Sequence, residues 1–235
     1  MASQDAKVIL YTNHRCPWAH RAHIALEELK IPFKEVIIDL DTPRTAEYLK
    51  INPRGLVPAL SYNGEIIVES AIVSQFLADA YPSHLVPPSN APDGALRRAR
   101  IALFVDAFIS KFNSPLFGFY TAKTDEDRNA ITEKALAGIV KEVEPLLADA
   151  SPFFGGSDKL TLAEVLTGSW AIRFKTLTKA EVLPGSLWSL ASEKAPNFIK
   201  WVEAVSVHPS VTSIYEEDKV VEGVKARIAK LRADA

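Results

Sequence analysis

Cys16 is the single cysteine in a chain of 235 residues, and it stands where a thiol can do chemistry. Ahead of it, Val8-Ile9-Leu10-Tyr11 is a short apolar run with β-branched and aromatic content, suited to a buried strand. Thr12-Asn13-His14-Arg15 reads as a polar turn, and Pro17 opens a helical pattern, where its missing N–H costs nothing. The thiol therefore sits at a helix start, where free N–H groups and the positive end of the dipole favour an anion. Thiolate, not thiol, is the nucleophile. Arg15 and Arg21 either add positive potential or face water. Free cysteines are more often inert packing, so position alone leaves both readings open.

Cys16-Pro17-Trp18-Ala19 has no second cysteine two residues on, which excludes dithiol exchange within the motif. A lone thiolate can still attack a disulfide, but another thiol must resolve the product. A small external thiol such as glutathione fits that part. With one cysteine no intrachain disulfide is possible, so a reducing, cytoplasmic compartment is expected. The cysteine and the five histidines show no ligand spacing, and no metal is expected. His14, His20 and His23 are expected on the surface or a helix face, not as a base for the thiol.

The elements around the thiol alternate in type. Trp18 to Leu29 repeats Ala22, Ala25, Leu26 and Leu29 as one stripe of an amphipathic helix, stopped by Ile31-Pro32. Phe33 to Leu40 reads as a second strand, completing a βαβ unit. A short helix over Thr45 to Ile51 precedes two apolar runs, Pro58 to Tyr62 and Glu65 to Val68, which flank Asn63-Gly64, a strong hairpin signal. A helix over Ser70 to Tyr81 closes a β-α-β-α-β-β-α order, a mixed sheet with helices on its faces. Pro82 to Gly94 holds four prolines and reads as a linker. Beyond it only helical patterns follow, over Ala95 to Asn113, Asp125 to Ala148, Thr161 to Thr178, Pro196 to Val207 and Glu217 to Ala233, with Pro145 expected to kink or end the second. The expected division is an α/β domain over 1–82, a linker over 83–94 and an all-α domain over 95–235.

Composition narrows the partners. The net charge is −2 with Lys and Arg spread along the chain, which argues against nucleic acid. No apolar run approaches the roughly 20 residues of a membrane helix, and Met1 to Lys7 is polar, unlike a secretory signal.

Three motifs taken in order, Cys16-Pro17-Trp18-Ala19-His20-Arg21, Asn52-Pro53-Arg54-Gly55-Leu56-Val57-Pro58 and Glu69-Ser70-Ala71-Ile72, resemble omega-class glutathione transferases. Phe153-Phe154-Gly155-Gly156 and Thr161-Leu162-Ala163-Glu164 extend the resemblance over most of the chain. It implies a thioredoxin-like N-terminal domain joined to an all-helical one, glutathione as co-substrate, and a homodimer. It implies a cis peptide at Val57-Pro58, with the Val57 backbone pairing with the cysteinyl part of glutathione as an edge strand would. Leu56 and Trp18 line the same site by resemblance. Glu69 and Ser70 suit a helix cap and, by resemblance, bind the γ-glutamyl carboxylate and amine at the helix N–H groups. Arg44 falls near the glycine end, where forked pairing would serve the carboxylate; a solvated arginine is the alternative. Thr161 and Glu164 form a capping-box pattern and are assigned to folding.

Phe104, Phe108 and Phe112 recur every fourth residue, a stripe that is more often core than pocket. By resemblance, Phe108, Phe112, Trp170 and Arg173 are candidates to line a second-substrate pocket between the domains, fit for a small apolar or aromatic co-substrate. The expected activity is glutathione-dependent thiol transfer or reduction through a Cys16–glutathione mixed disulfide, with a place in detoxification. The alternatives are conjugation of glutathione to electrophiles, or a non-enzymatic binding role on the same fold. Tyr11 is set aside as a thiolate partner because its strand position makes core the better reading.

Overall fold

The computed structural model describes residues 6–233. Most of the polar N-terminal stretch, residues 1–5, lies outside them. Four strands, β1 (Val8–Thr12), β2 (Lys34–Ile37), β3 (Ala59–Tyr62) and β4 (Glu65–Val68), form one sheet in the order β2-β1-β3-β4. β1 runs parallel to β2 with Ile9 opposite Lys34, and antiparallel to β3 with Leu10 opposite Leu60. Asn63 and Gly64 close the β3–β4 hairpin with φ of 52° and 95°, the positive values a tight hairpin turn needs. Strand β2 is shorter than expected. Past Ile37 the chain turns at Asp39, whose carboxylate accepts from the Asp41 N–H and the Thr42 hydroxyl.

Helices α1 (Pro17–Glu28), α2 (Ala46–Ile51) and α3 (Ser70–Ala80) complete the β-α-β-α-β-β-α order. The single-stripe expectation for α1 needs correction: residues Ala19 to Leu26 are buried without a break. Helix α3 packs against α1, and so do α7 (Leu162–Lys179) and α10 (Pro209–Thr212) of the helical half. A helix enclosed on all sides carries buried residues on every face, so His20 and His23 are interior, not surface, side chains.

The helical half contains α4 (Gly94–Ala107), α5 (Ser114–Leu116), α6 (Asp125–Gly138), α7, α8 (Gly185–Lys194), α9 (Pro196–Ser206), α10 (Pro209–Thr212) and α11 (Glu217–Ala233). Helix α8 escaped the sequence reading because Pro184-Gly185 looks like a break, although Pro184 caps its start. The two long helices expected over Ala95 to Asn113 and Asp125 to Ala148 both widen into π-helical turns, at Phe108–Asn113 and Ile139–Val143. They cross tightly there: a Cβ on Gly138 would lie 2.1 Å from the Lys111 carbonyl oxygen. Past the second widening the backbone tightens into a 3-10 turn over Glu144–Leu147, carrying Pro145, and ends.

One continuous apolar core joins the halves, from Leu10, Ile24 and Leu60 to Phe104, Phe174, Phe198 and Trp201. Leu85 and Val86 of the proline-rich segment are buried in it, and the Leu85 carbonyl accepts from the Leu162 N–H at 2.7 Å. That segment is thus anchored rather than free. Glu164 is fully buried in the first turn of α7. Its carboxylate accepts from the Thr161 N–H and hydroxyl, the Phe154 N–H and the Trp201 indole, all within 2.8 Å. A buried carboxylate without a cation is tolerable only with such full pairing.

Candidate active site

Cys16 is the N-cap residue of α1, with extended backbone and Pro17 in the first turn. Its carbonyl accepts the His20 N–H, so the thiol is fixed to the end of the helix where orphan N–H groups gather. The sulfur is partly exposed and lies 3.9 Å from the Val57 carbonyl oxygen, to which the thiol donates. Cys16 packs against a small buried cluster of Ala19, Tyr48 and Val57, as does Tyr11. The Val57–Pro58 peptide is cis, and both residues are buried, while Leu56 exposes its side chain. Tyr48 and Asn52 both donate to the Leu56 carbonyl, at 2.6 and 2.8 Å, and so hold this turn.

The histidines serve structure. His20 is fully buried, and its Nε2–H donates to the Val211 carbonyl at 2.8 Å; this leaves Nδ1 to accept from Arg173 Nη1 at 3.1 Å. Burial and the Arg173 charge push its pKa well below the ordinary value. His23 Nε2 lies 2.9 Å from the Thr12 hydroxyl, and burial, with His14 nearby, holds its pKa down to about 3. Among the described residues no histidine is hydrogen-bonded to the thiol.

Around α3, Glu69 holds φ 72° and ψ 117°. For a non-glycine residue that conformation costs on the order of 1–3 kcal/mol and marks a place where geometry is imposed. Its side chain does not cap the helix, which corrects the capping expectation; it pairs with Arg54 instead. Ser70 is buried at the first position of α3, and its Oγ accepts from Arg21 Nη1 at 3.3 Å. Arg21 is only 4% exposed, stacks over the Trp18 ring at 4.5 Å, and leaves Nε and Nη2 without a partner. Burial alone lowers its pKa to about 10. Arg15, by contrast, faces solvent and pairs with Asp41 at 2.6 Å.

Cys16 opens onto a cleft of about 610 Å³ between the two halves. Trp18 and Trp170 meet edge to face at 4.9 Å on its wall, with Phe117 against Trp170. Leu116, Tyr120 and Leu177 extend the apolar surface, and α11 supplies Val220 and Val224.

The glutathione S-transferase N-terminal domain family matches residues 15–80. Rat glutathione S-transferase omega-1 is 26% identical over 217 residues, which cover 92% of this chain and 83% of that protein. Pyrimidodiazepine synthase of Drosophila melanogaster is 25% identical over 221 residues, covering 92% and 84%. The crystal structure of glutathione transferase Omega 1C from Trametes versicolor superposes with a TM-score of 0.81 at 25% identity, over 96% of this chain and 98% of that one. The chain is similar to omega-class glutathione transferases over most of its length. Its fold is the glutathione-transferase fold, a thioredoxin-like sheet with helices followed by a mostly helical part.

The site positions expected from sequence separate in the structure. Cys16 meets Val57 at the sulfur, Pro58 follows through the cis peptide, and Trp18, Trp170 and Arg173 line the cleft onto which Cys16 opens. Phe108 and Phe112 do not join them. Both are fully buried, packed edge to face on each other at 5.1 Å and against Phe174 and Phe198, so they are core. An aromatic stripe recurring every fourth residue points one way along a helix, and here that way is inward. Arg44 is not poised for forked pairing either. Its Nε donates to the Gly55 carbonyl and its Nη1 to the carbonyls of Asp39 and Thr42, so every fork contains an occupied nitrogen. Sequence alone does not reveal the cationic rim that α11 brings to the cleft, Lys219, Arg227 and Lys230. Nothing local in sequence distinguishes these from an ordinary solvated helix face.

Proposed function

We propose that this protein is a glutathione-dependent thiol transferase working through Cys16. The observation that carries the reading is the placement of the chain's single thiol at the N-cap of α1, partly exposed at the mouth of an aromatic cleft and against the Val57 carbonyl. The Cys16 thiolate attacks the glutathione sulfur of a mixed disulfide R–S–S–G. A Cys16–S–S–G bond forms, the disulfide bond between R–S and S–G breaks, and R–S⁻ leaves and takes a proton from solvent. The thiolate of a second glutathione then attacks the glutathionyl sulfur, releasing oxidised glutathione and restoring the Cys16 thiolate.

Glutathione lies with its cysteinyl backbone along Val57 and its γ-glutamyl end at Ser70 and the start of α3. Helix N–H groups receive the carboxylate there. Arg21 stands behind Ser70 as a positioning residue: its unneutralised charge orients the hydroxyl and adds positive potential. The cleft beyond takes the R group. Trp18, Phe117, Tyr120 and Trp170 suit a small aromatic one, and the rim of Lys219, Arg227 and Lys230 favours one that carries a carboxylate. We place the protein in the cytoplasm as a homodimer, in keeping with its similarity to omega-class enzymes.

The test is reduction of hydroxyethyl disulfide by glutathione. Cys16→Ser loses activity by a factor of at least about 100 while its melting temperature stays within a few degrees, because serine suits an N-cap. Surviving activity in that variant contradicts the monothiol scheme.

A further inference from the structure

A second group of chemistry-bearing side chains lies apart from those that line the cleft. His14 comes from that turn, His23 from α1, and Glu35 from β2. Their ligand atoms, one from each side chain, all lie within 4.8 Å of one another. His14 Nε2 is 2.6 Å and His23 Nε2 is 3.4 Å from Glu35 Oε1. His23 is 1% exposed and fixed by its contacts with Thr12 and Phe33, while the other two side chains are about a third exposed. We infer that His14, His23 and Glu35 form a binding site for one divalent first-row transition ion of the zinc or cobalt kind.

The donor set decides the class of ion. Two imidazoles and one carboxylate suit zinc, cobalt or nickel, whereas magnesium and calcium take oxygen ligands. Zinc–ligand bonds of about 2.0–2.1 Å in a tetrahedral site set neighbouring donors a little over ~3 Å apart. The His23–Glu35 separation already has that value. The His14–Glu35 pair needs to open by less than about 1 Å, within reach of two partly exposed side chains. Water fills the fourth position from the solvent side. On binding, each imidazole offers a ring nitrogen lone pair, and any proton on those nitrogens leaves to solvent; no redox change is involved. The ion would cross-link three separate elements, with the thiol turn among them, and so stabilise the folded chain.

The rival account is a plain hydrogen-bonded cluster in which His14 and His23 share the Glu35 carboxylate. The two differ in stoichiometric ion uptake. The experiment uses tag-free full-length Cys16→Ser protein, so that the thiol cannot compete as a ligand. Zinc is followed by calorimetry and by thermal melting, and cobalt by its visible absorption. One ion per chain, a raised melting temperature with zinc and an intense tetrahedral cobalt band are expected. His14→Ala and Glu35→Gln, both at accessible positions, should each weaken binding by about tenfold or more. His84→Ala, at a separate His84–Glu28 pair, should leave it unchanged. No uptake at tenfold excess of ion overturns the inference, and so does uptake that survives both His14→Ala and Glu35→Gln.

Discussion

Arg21 shows how one residue can work against the fold and for the site. A guanidinium that is buried, with one hydrogen bond of 3.3 Å and two unpartnered nitrogens, is costly. Its pKa falls to about 10, which corresponds to roughly 3 kcal/mol of destabilisation. For a base whose folded pKa is depressed, that cost is present throughout the range below the folded value and is relieved only as pH climbs past it. At neutral pH the protein bears all of it. Arg21→Met is therefore expected to raise unfolding free energy by about 1–3 kcal/mol and, at the same time, to raise the KM for glutathione about tenfold. Urea unfolding and a glutathione titration read the two effects separately. A variant less stable than the parent, or one with unchanged KM, contradicts the positioning role. Sequence placed Arg21 near the thiol but left open whether it faced water. That depends on α3 and Trp18 closing over it, which are contacts beyond its own helix.

At the scale of elements, α1 is held from the helical half by a short relay. Arg173 on α7 donates Nη1 to His20 and to the Ser169 carbonyl, and its Nη2 reaches the Arg15 carbonyl just ahead of Cys16 at 3.4 Å. Tyr215 stacks on His20 and lies under the Arg173 guanidinium. Because His20 must accept from Arg173, its protonation would lose that bond and set two cations together. Its folded pKa is depressed by burial first, then by Arg173, His23 and His14, with the Val211 hydrogen bond opposing. Above the unfolded value, about 6.5, His20 contributes no pH dependence. Below it the unfolded chain takes up a proton that the folded chain refuses, so stability falls by about 1.4 kcal/mol per pH unit. Urea unfolding between about pH 7 and pH 5 should show that loss. His20→Gln, which keeps one donor and one acceptor and cannot be protonated, should reduce the slope; an unaltered slope contradicts the relay. The βαβαββα order was legible because alternating apolar runs, Pro17 and Asn63-Gly64 are local signals. The burial of His20 and His23 was not, because it depends on elements from elsewhere in the chain that pack against α1.

For the whole molecule, the cleft exists only because a shared core fixes α7 and α11 over the sheet-bearing half. Its walls were half legible. Trp170 and Arg173 fall on the cleft, but Phe108 and Phe112 have the same aromatic or cleft-facing appearance in sequence and sit in the core. Helical periodicity gives a stripe without telling which neighbour it meets. Lys219 of the rim is paired with Glu216 at 2.6 Å and the Asp41 carboxylate of the lining with Arg15, which leaves Arg227 and Lys230 to meet a substrate carboxylate. Reduction of the glutathione mixed disulfide of 4-mercaptobenzoate should therefore show a lower KM than that of its uncharged amide. Arg227→Glu combined with Lys230→Glu should remove the difference, and salt should shrink it. Equal KM values in the parent protein contradict the charge preference.

The central claim is that the Cys16 sulfur carries the glutathionyl group between donor and acceptor. Mass spectrometry of the protein after exposure to oxidised glutathione tests it most directly. One glutathionyl adduct is expected, mapping to the peptide that contains Cys16 and removed by fresh reduced glutathione. A chain that stays unmodified under those conditions contradicts the account.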